Sequence, residues 1–293
     1  MKKIRKAIFP VGGLGTRFLP ATKTIPKEML PVIDKPLIQY AVEEAIAAGI
    51  EQFIFVTGRG KSAIEDHFDY SFELETMLSA NGNTKTLETL RSLVRHPGST
   101  YYIRQQEPLG LGHAVWCARH LIGDEPFAVL SADDFILSSK PCLQQMTEAY
   151  KDGNMVAIMD VPNETVSRYG IFDVEEDRGK FVFAKGVIEK PSLDEAPSNI
   201  AIIGRYILLP EVFNYLDLQK KGAGGEIQLT DAFIPLIDKY PFMGFRFEGN
   251  WFDCGSKEGL LKANINAALE RDELKGSILQ EIEDISKRHN RNL

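Results

Sequence analysis

Cysteine is scarce in this sequence, and long apolar runs are absent. The three cysteines, Cys117, Cys142 and Cys254, are odd in number and form no C-x-x-C pair, so neither a disulfide framework nor a cysteine-based zinc site is indicated. No run of about 18 apolar residues occurs, and the charged residues 1–6 are not followed by the apolar segment of a signal peptide. We therefore expect a protein of the reducing cytoplasm that does not associate with membranes.

Positive charge is also limited. The chain has 34 Lys and Arg residues against 41 Asp and Glu residues, a formal net charge of −7. General nucleic-acid binding depends on a basic surface, so we expect no nucleic-acid partner. A polyanionic ligand would have to meet a local group of cations. The rest of the composition, 44% hydrophobic and 26% charged over 293 residues, is ordinary for a globular protein.

Two familiar phosphate-binding motifs are missing as well. The chain contains no G-x-x-x-x-G-K-[ST], and aligning Gly13 and Gly15 with a dinucleotide fingerprint puts Phe18 where a third glycine should stand. However, Gly12, Gly13 and Gly15 come directly after residues 7–11, an apolar run that predicts a buried strand. The carboxyl end of such a strand is where open α/β sheets bind ligands.

Three cations follow these glycines. Arg17, Lys23 and Lys27 supply fixed positive charge, and glycines allow successive backbone N–H groups to point at an anion. Together they predict a cradle for a triphosphate. A simple glycine turn beside a few surface cations explains the glycines alone equally well.

Strand and helix patterns alternate along the first half of the chain. Strands are predicted at residues 7–11, 52–57, 100–105, 126–132 and 155–161, and helices at residues 36–49, from about residue 62, and at residues 113–121. This order implies right-handed crossovers and a mainly parallel α/β sheet flanked by helices.

The remaining segments depart from this alternation. Residues 71–95 predict a helical insertion with a break at residues 81–83, and residues 168–210 predict short strands of an antiparallel or mixed extension. C-terminal helices are expected after residue 256. We interpret residues 1–293 as a single domain with a nucleotide-binding half (about 1–161), a second-substrate half (about 162–255) and C-terminal helices (about 256–293).

Three aspartates stand at predicted strand ends. Asp133 and Asp134 follow the apolar strand 126–132, and Asp253 comes just before a predicted helix that begins near Ser256. A carboxylate at the tip of a buried strand suits Mg²⁺, whereas helix capping is the competing role. Folding could bring Asp133 and Asp253 to one edge of the sheet.

The run from Gly12 to Pro31, G-G-x-G-T-R-x-x-P-x-T-K-x-x-P-K-E-M-L-P, resembles the opening signature of the nucleoside-diphosphate-sugar pyrophosphorylases. The strings Q-x-x-P-L-G-L-G-H-A, Y-G, E-K-P, G-E-I-Q-L-T-D-A and W-x-D-x-G follow in the family's order. This resemblance spans residues 7 to about 263. It implies a Rossmann-like, glycosyltransferase-A-like fold with an antiparallel sugar-binding extension.

The resemblance also implies a role for each group of residues. The nucleotide-binding positions are Val11, Gly12, Gly13, Gly15, Thr16, Gln105 and Gly110, of which Gln105 and Gly110 face a uracil base. The sugar-phosphate positions are Asp134, Tyr169, Gly170, Glu189, Lys190 and Asn199. The catalytic residues are Arg17, Lys27 and Lys190, and Asp133 and Asp253 hold Mg²⁺. Taken singly, Gln105 also fits an exposed strand-end amide, and the Glu189–Lys190 pair fits a solvated strand end.

The reaction implied by the resemblance is nucleotidyl transfer. The expected substrates are UTP and glucose 1-phosphate, the products UDP-glucose and pyrophosphate, and the assembly a homodimer or homotetramer. A thymidylyltransferase is the nearest alternative, because one methyl group discriminates only about 10- to 200-fold. A sugar-nucleotide-dependent glycosyltransferase would release UDP and would not need Arg17 and Lys27 for a departing pyrophosphate. A nucleotide sensor would bind without turnover.

Overall fold

The computed structural model describes residues 3–290. Residues 1, 2 and 291–293, which are the ends of the predicted domain and of its C-terminal helical segment, lie outside the described residues. No helix within residues 3–290 is long and apolar enough to cross a membrane.

Within this range the chain forms strands and helices in alternation. The strands are β1 (Lys6–Pro10), β2 (Pro31–Val32), β3 (Lys35–Pro36), β4 (Gln52–Thr57), β5 (Thr100–Arg104), β6 (Phe127–Leu130), β7 (Asp134–Leu137), β8 (Asn154–Asp160), β9 (Gly170–Arg178), β10 (Phe181–Glu189), β11 (Ile200–Leu208), β12 (Phe242–Arg246) and β13 (Asn250–Asp253). The helices are α1 (Leu37–Ala47), α2 (Ser62–His67), α3 (Phe72–Ala80), α4 (Thr84–Leu93), α5 (Leu111–Cys117), α6 (Arg119–Ile122), α7 (Cys142–Ala149), α8 (Val212–Leu216), α9 (Ile234–Ile237), α10 (Lys257–Leu269) and α11 (Asp272–Asn290).

One large mixed sheet organises these elements. Across residues 3–290 its nine strands run in the order β5-β4-β1-β6-β11-β8-β12-β10-β9. The strands β5, β4, β1 and β6 are parallel to one another, whereas β11 is antiparallel to both β6 and β8. The predicted α/β fold with a mainly parallel first half is therefore confirmed.

The apolar strands of the parallel half bury both of their faces. Ile8 of β1 is in register with Ile54 of β4, and both pack in one core cluster. Phe9 and Phe55, one position further along, pack in a second cluster. Because successive side chains point to opposite faces of a sheet, the two clusters lie on opposite sides of it. Helices must therefore cover both faces, which explains the continuous apolar strands.

The turns that follow β1 and β4 lie against each other. A Cβ added to Gly58 would stand 2.8 Å from the carbonyl oxygen of Gly12. The amide N–H of Val11 donates to Val56 across the same pair of strands. The two glycine turns therefore share one edge of the sheet.

The second half of the sheet forms the predicted antiparallel extension. The β9 and β10 strands form a long antiparallel pair, and β10 also pairs with β12. At its start β9 turns back to pair with β11, where Ile171 lies opposite Ala201. This closure brings the start of β9 and the end of β10 toward the tip of β6.

The insertion at residues 71–95 has the predicted form. Two helices, α3 and α4, are separated at residues 81–83, and the side chain of Asn83 caps α4 by accepting from the N–H of Thr86. The predicted helix 113–121 differs in detail, since it is split into α5 and α6 and α5 begins at Leu111. The predicted strand 126–132 is shorter, because the N–H of Asp134 donates to Ser131 in a turn.

Candidate active site

A cavity of about 800 Å³ opens at the carboxyl ends of β1, β5 and β6. It is lined from the parallel half by segments that follow these strands, and from the second half by the start of β9, the end of β10 and the turn after β13. Its walls contain these predicted site residues: Gly12, Gly13, Gly15, Thr16, Arg17, Lys27, Gln105, Gly110, Asp133, Asp134, Tyr169, Gly170, Glu189, Lys190 and Asp253.

Three predicted residues do not line this cavity. Val11 is fully buried, and its side chain packs in the core. Asn199 uses its amide to donate to the carbonyl oxygen of Val161 at 3.1 Å, which ties β11 to β8. Lys23 lies in a short 3-10 turn and is absent from the lining. The nucleotide and sugar roles of Val11 and Asn199 stay predictions.

The glycine segment folds back onto Lys27. Gly15 has a φ of 66° in the left-handed region, and an added Cβ there would stand 3.2 Å from the Cβ of Lys27. The hydroxyl of Thr22 donates to the carbonyl oxygen of Gly15 at 2.7 Å. Glycine is required at this turn both by its backbone conformation and by this close approach.

Lys27 lies against the tip of β6. Its ammonium group is 2.6 Å from Oδ2 of Asp133, and each side chain is about one-fifth exposed. Burial acts to raise the pKa of Asp133, but the ammonium of Lys27 outweighs it and holds that pKa below its ordinary value. Burial likewise acts to lower the pKa of Lys27, and the carboxylates of Asp133 and Glu28 more than offset it. Both groups are therefore charged at neutral pH.

Asp253 reaches the same space from the opposite half. A Cβ added to Gly255 would lie 2.9 Å from each of three atoms, namely Oδ2 of Asp133, Oδ1 of Asp253 and a terminal nitrogen of Arg17. The two carboxylate oxygens are therefore separated by no more than twice that distance. Oδ2 of Asp253 also pairs with the guanidinium of Arg168.

Helix capping, the competing role for Asp253, is taken by another residue. The side chain of Ser256 accepts from the N–H of Gly259 and caps α10. Asp253 instead accepts from the N–H of Gly255 at 3.0 Å. Its carboxylate therefore remains directed at the cavity rather than at the helix.

Asp134 is held differently from its neighbour Asp133. Its Oδ1 accepts from the indole N–H of Trp251 at 2.7 Å, and β7 pairs Asp134 with Asp253 across the small β7–β13 sheet. Burial raises the pKa of Asp134, and the nearby carboxylate of Asp133 raises it further. The metal role of Asp133 and the sugar-phosphate role of Asp134 stay predictions.

Asp133 and Asp253 alone are too few ligands to hold Mg²⁺. Among the described residues, no group of three or more His, Cys, Asp and Glu side chains could hold a metal ion. In phosphate-transfer sites, however, Mg²⁺ is commonly bound by one or two carboxylates together with substrate phosphates and water. Asp133 and Asp253 offer two carboxylates that line one cavity, which suits that second arrangement.

The residues predicted to bind the sugar phosphate contact one another. Glu189 accepts from the hydroxyl of Thr230 at 2.8 Å, and its other oxygen lies 3.2 Å from the ammonium of Lys190. Gly170 makes room for both, since an added Cβ would stand 3.0 Å from Thr230 and 3.1 Å from Glu189. The backbone N–H of Lys190 donates to the carbonyl oxygen of Tyr169.

Lys190 has a backbone conformation that is rare for residues other than glycine. Its φ is 49°, which costs on the order of 1–3 kcal/mol and is found mostly at functional sites. About half of its side chain is exposed to the cavity mouth. Glu189 is only 12% exposed and accepts from Thr230, so it is not a solvated side chain, whereas the role of Lys190 stays a prediction.

Gln105 occupies the other end of the cavity, at the end of β5. The side chain is only 8% exposed, so it is not the exposed amide of the alternative interpretation. Its amide nitrogen donates to the carbonyl oxygen of Gly110 at 3.1 Å and to Nδ1 of His113 at 3.0 Å. Gly110 has a φ of 109°, and an added Cβ would stand 2.8 Å from the carbonyl oxygen of Ile227. That glycine is therefore required by the chain's own packing as well.

Two buried ion pairs beneath the site were not predicted. Lys61 donates to Glu28 at 2.8 Å below the glycine segment, with side chains 7% and 1% exposed. Arg205 binds Glu44 at 2.8 Å and also donates to the carbonyl oxygens of Ser131, Gly204 and Asp134. An arginine within an otherwise apolar strand was the available signal for the second pair.

Comparison with known proteins gives a consistent result. Residues 6–270 match the nucleotidyl transferase family. A UTP–glucose-1-phosphate uridylyltransferase of Bacillus subtilis (strain 168) is 50% identical over 287 residues, which cover 97% of this chain and 98% of that protein. A solved UTP-bound UGPase from Acinetobacter baumannii is 41% identical with a TM-score of 0.87, covering 95% of this chain and 98% of that one. A UDP-glucose pyrophosphorylase complexed with UDP-glucose is 44% identical with a TM-score of 0.82, covering 92% and 100%.

Proposed function

This chain belongs to the nucleotidyl transferase family, and we propose that it transfers the uridylyl group of UTP to glucose 1-phosphate. A phosphate oxygen of glucose 1-phosphate attacks the α-phosphorus of UTP and forms the new P–O bond. The bond between the α-phosphorus and the bridging oxygen breaks, and pyrophosphate leaves with its electron pair. The products are UDP-glucose and pyrophosphate.

The observation that carries this proposal is the convergence of opposite charges from both halves of the chain. Arg17, Asp133 and Asp253 each have an atom 2.9 Å from one point beside Gly255. Lys190 lines the same cavity. The substrate names of the relatives supply the identity of the two reactants.

The nucleophile needs little help from a general base, because a phosphate oxygen of glucose 1-phosphate is ionised at neutral pH. The protein has to align two anions that repel each other and offset the charge that develops on the leaving group. In this proposal Arg17 binds the departing pyrophosphate, Lys27 the region of the α-phosphate, and Lys190 the phosphate of the sugar.

Asp133 and Asp253 would hold Mg²⁺, which when bound neutralises charge on the phosphate oxygens. Lys27 and Arg168 balance the charges of these two carboxylates. The carboxylate of Asp133 therefore stays ionised within a partly buried site. Glu189, held by Thr230, is placed to accept hydrogen bonds from sugar hydroxyls.

The direct experiment measures pyrophosphate release from UTP plus glucose 1-phosphate, with and without added Mg²⁺. We expect turnover that requires both substrates and the metal, and the same assay with dTTP measures strictness for the base. Release of UDP instead of pyrophosphate, or no turnover with any pairing of UTP or dTTP and a sugar 1-phosphate, would contradict the proposal.

We also expect the protein to form a homodimer or homotetramer. Leu279, Ile282 and Ile285 on α11 are each 40% or more exposed and are spaced to share a helical face. Light scattering during gel filtration measures the mass directly. A monomer of 32.8 kDa at micromolar concentration would contradict this expectation.

A further inference from the structure

The side chain of Gln105 can present only one of its two polar atoms to the cavity. The carbonyl oxygen of Gly110 accepts from the amide nitrogen at 3.1 Å, and a backbone carbonyl has no proton to donate. This contact fixes the amide nitrogen on the side of Gly110. The amide oxygen of Gln105 must then face the opposite way.

His113 uses the second proton of the same amide group. Its Nδ1 is 3.0 Å from the amide nitrogen of Gln105, so Nδ1 must be an unprotonated acceptor and the ring proton must be on Nε2. Burial lowers the pKa of His113, which favours this neutral ring. The ring stacks on Trp116 at 5.5 Å between centroids and does not line the cavity.

The amide oxygen of Gln105 lies beside the glycine segment. A Cβ added to Gly12 would stand 2.9 Å from this oxygen, and both residues line the cavity. The amide oxygen of Gln105 is thus a hydrogen-bond acceptor that faces the cavity. Gly110 and His113 hold it in this orientation through their contacts with the amide nitrogen. N3 of uracil carries a proton that such an acceptor can bind, whereas N3 of cytosine carries none.

We infer that His113 is a specificity-determining positioning residue, which holds the amide of Gln105 so that its oxygen selects uracil or thymine over cytosine. This inference rests on the proposed function, because it requires a pyrimidine at Gln105. Without an acceptor at the position of Nδ1, the amide of Gln105 loses one of the two contacts that fix it. Only the contact with Gly110 then holds the amide, so its rotation, which would offer a donor that suits cytosine, costs less.

Two variants separate the acceptor from the ring. His113→Phe keeps an aromatic ring to stack on Trp116 but has no acceptor, whereas His113→Asn keeps an acceptor near the position of Nδ1 but has no ring. Calorimetry would measure the dissociation constants of UTP, CTP and dTTP for each protein. We expect the preference for UTP over CTP to fall about tenfold in His113→Phe, as for loss of one hydrogen bond, and to be retained in His113→Asn.

The ratio of UTP to dTTP affinity should be unchanged in both variants, because both bases carry a proton on N3. An unchanged UTP/CTP preference in His113→Phe, an equal loss in both variants, or no preference in the wild type would overturn the inference. Wild-type protein that prefers UTP but releases no pyrophosphate would contradict only the proposed function.

A measurement on the wild-type protein does not depend on the folding of any variant. Nitrogen-15 NMR of the histidine rings, with the His113 signals assigned from their absence in His113→Asn or from their contact with Trp116, distinguishes the two tautomers. The inference expects Nδ1 to be the unprotonated nitrogen. A protonated Nδ1 at neutral pH would overturn it.

Discussion

The proposed nucleotide side and the proposed sugar-phosphate side of the cavity differ in what forms them. On the nucleotide side, Gly12 and Gly110 allow backbone segments to approach within van der Waals distance of their neighbours. On the sugar-phosphate side, Glu189, Lys190 and Thr230 form a chain of contacts between side chains. The first side should therefore be sensitive to added volume, and the second to the removal of a charge or a hydroxyl.

Substitutions of Asp133 and Asp253, at the boundary between the two sides, should lower kcat more than any other change. We expect Asp133→Asn and Asp253→Asn each to lower kcat for pyrophosphate release about 10²–10³-fold, since each removes a charge at the point where the substrates meet. Asp238→Asn, at an exposed aspartate that does not line the cavity, should leave kcat unchanged. Near-wild-type turnover in both Asp133→Asn and Asp253→Asn would contradict the proposed roles of these two carboxylates.

A charge removed from the sugar-phosphate side should act on one substrate alone. Lys190→Ala should lower kcat/KM for glucose 1-phosphate about 10–100-fold, because it removes a charged contact with a phosphate, and should leave UTP binding within about twofold of the wild type. Lys185→Ala, at an exposed position of β10, the strand that ends just before Lys190, is the matched control. An equal loss of affinity for both substrates would mean that the two sides are not separate.

A methyl group added at Gly110, on the nucleotide side, should destabilise the fold by straining the backbone. Gly110→Ala places a Cβ 2.8 Å from the carbonyl oxygen of Ile227 at a φ of 109°. We expect a loss of about 1–3 kcal/mol in the free energy of unfolding and weaker binding of UTP, measured by urea denaturation and calorimetry.

Gly276→Ala is the control for this substitution. Gly276 lies inside α11 with no neighbour near its added Cβ, so alanine there should raise the free energy of unfolding by up to about 1 kcal/mol. Destabilisation of similar size in both variants would argue against a specific close approach at Gly110.

A single hydroxyl on the sugar-phosphate side should show the smallest effect. Thr230→Val keeps the shape of a buried side chain but removes the donor to Glu189, and we expect KM for glucose 1-phosphate to rise about 3- to 10-fold. Thr230→Ser retains the hydroxyl and should stay closer to the wild type. A larger rise in KM with Thr230→Ser than with Thr230→Val would show that packing, rather than the hydrogen bond, positions Glu189.

Local patterns predicted the individual elements well. The strand at residues 52–57 has the predicted bounds, and the break between α3 and α4 falls at residues 81–83. These features depend on side-chain alternation and on turn residues, which act over a few positions. The start of α5 was placed two residues late, because the chain enters that helix through Gly110 with a φ of 109°.

Contacts between distant segments were much harder to predict. The cap of α10 is Ser256 rather than Asp253, and Asn199 is turned to a neighbouring strand. Nothing in the local sequence joins Arg205 to Glu44, which are 161 positions apart. Only the folded chain brings Nδ1 of His113 to the amide of Gln105.

By itself, the sequence determined where strands end, where glycines interrupt them and which charged residues follow, because these depend on short-range conformational preferences. The order β5-β4-β1-β6-β11, and with it the meeting of Asp133 and Asp253, was decided only by the tertiary structure. Packing of both faces of the sheet selects that order from many permitted ones, since the free energy of burying an apolar face depends on the whole set of neighbours.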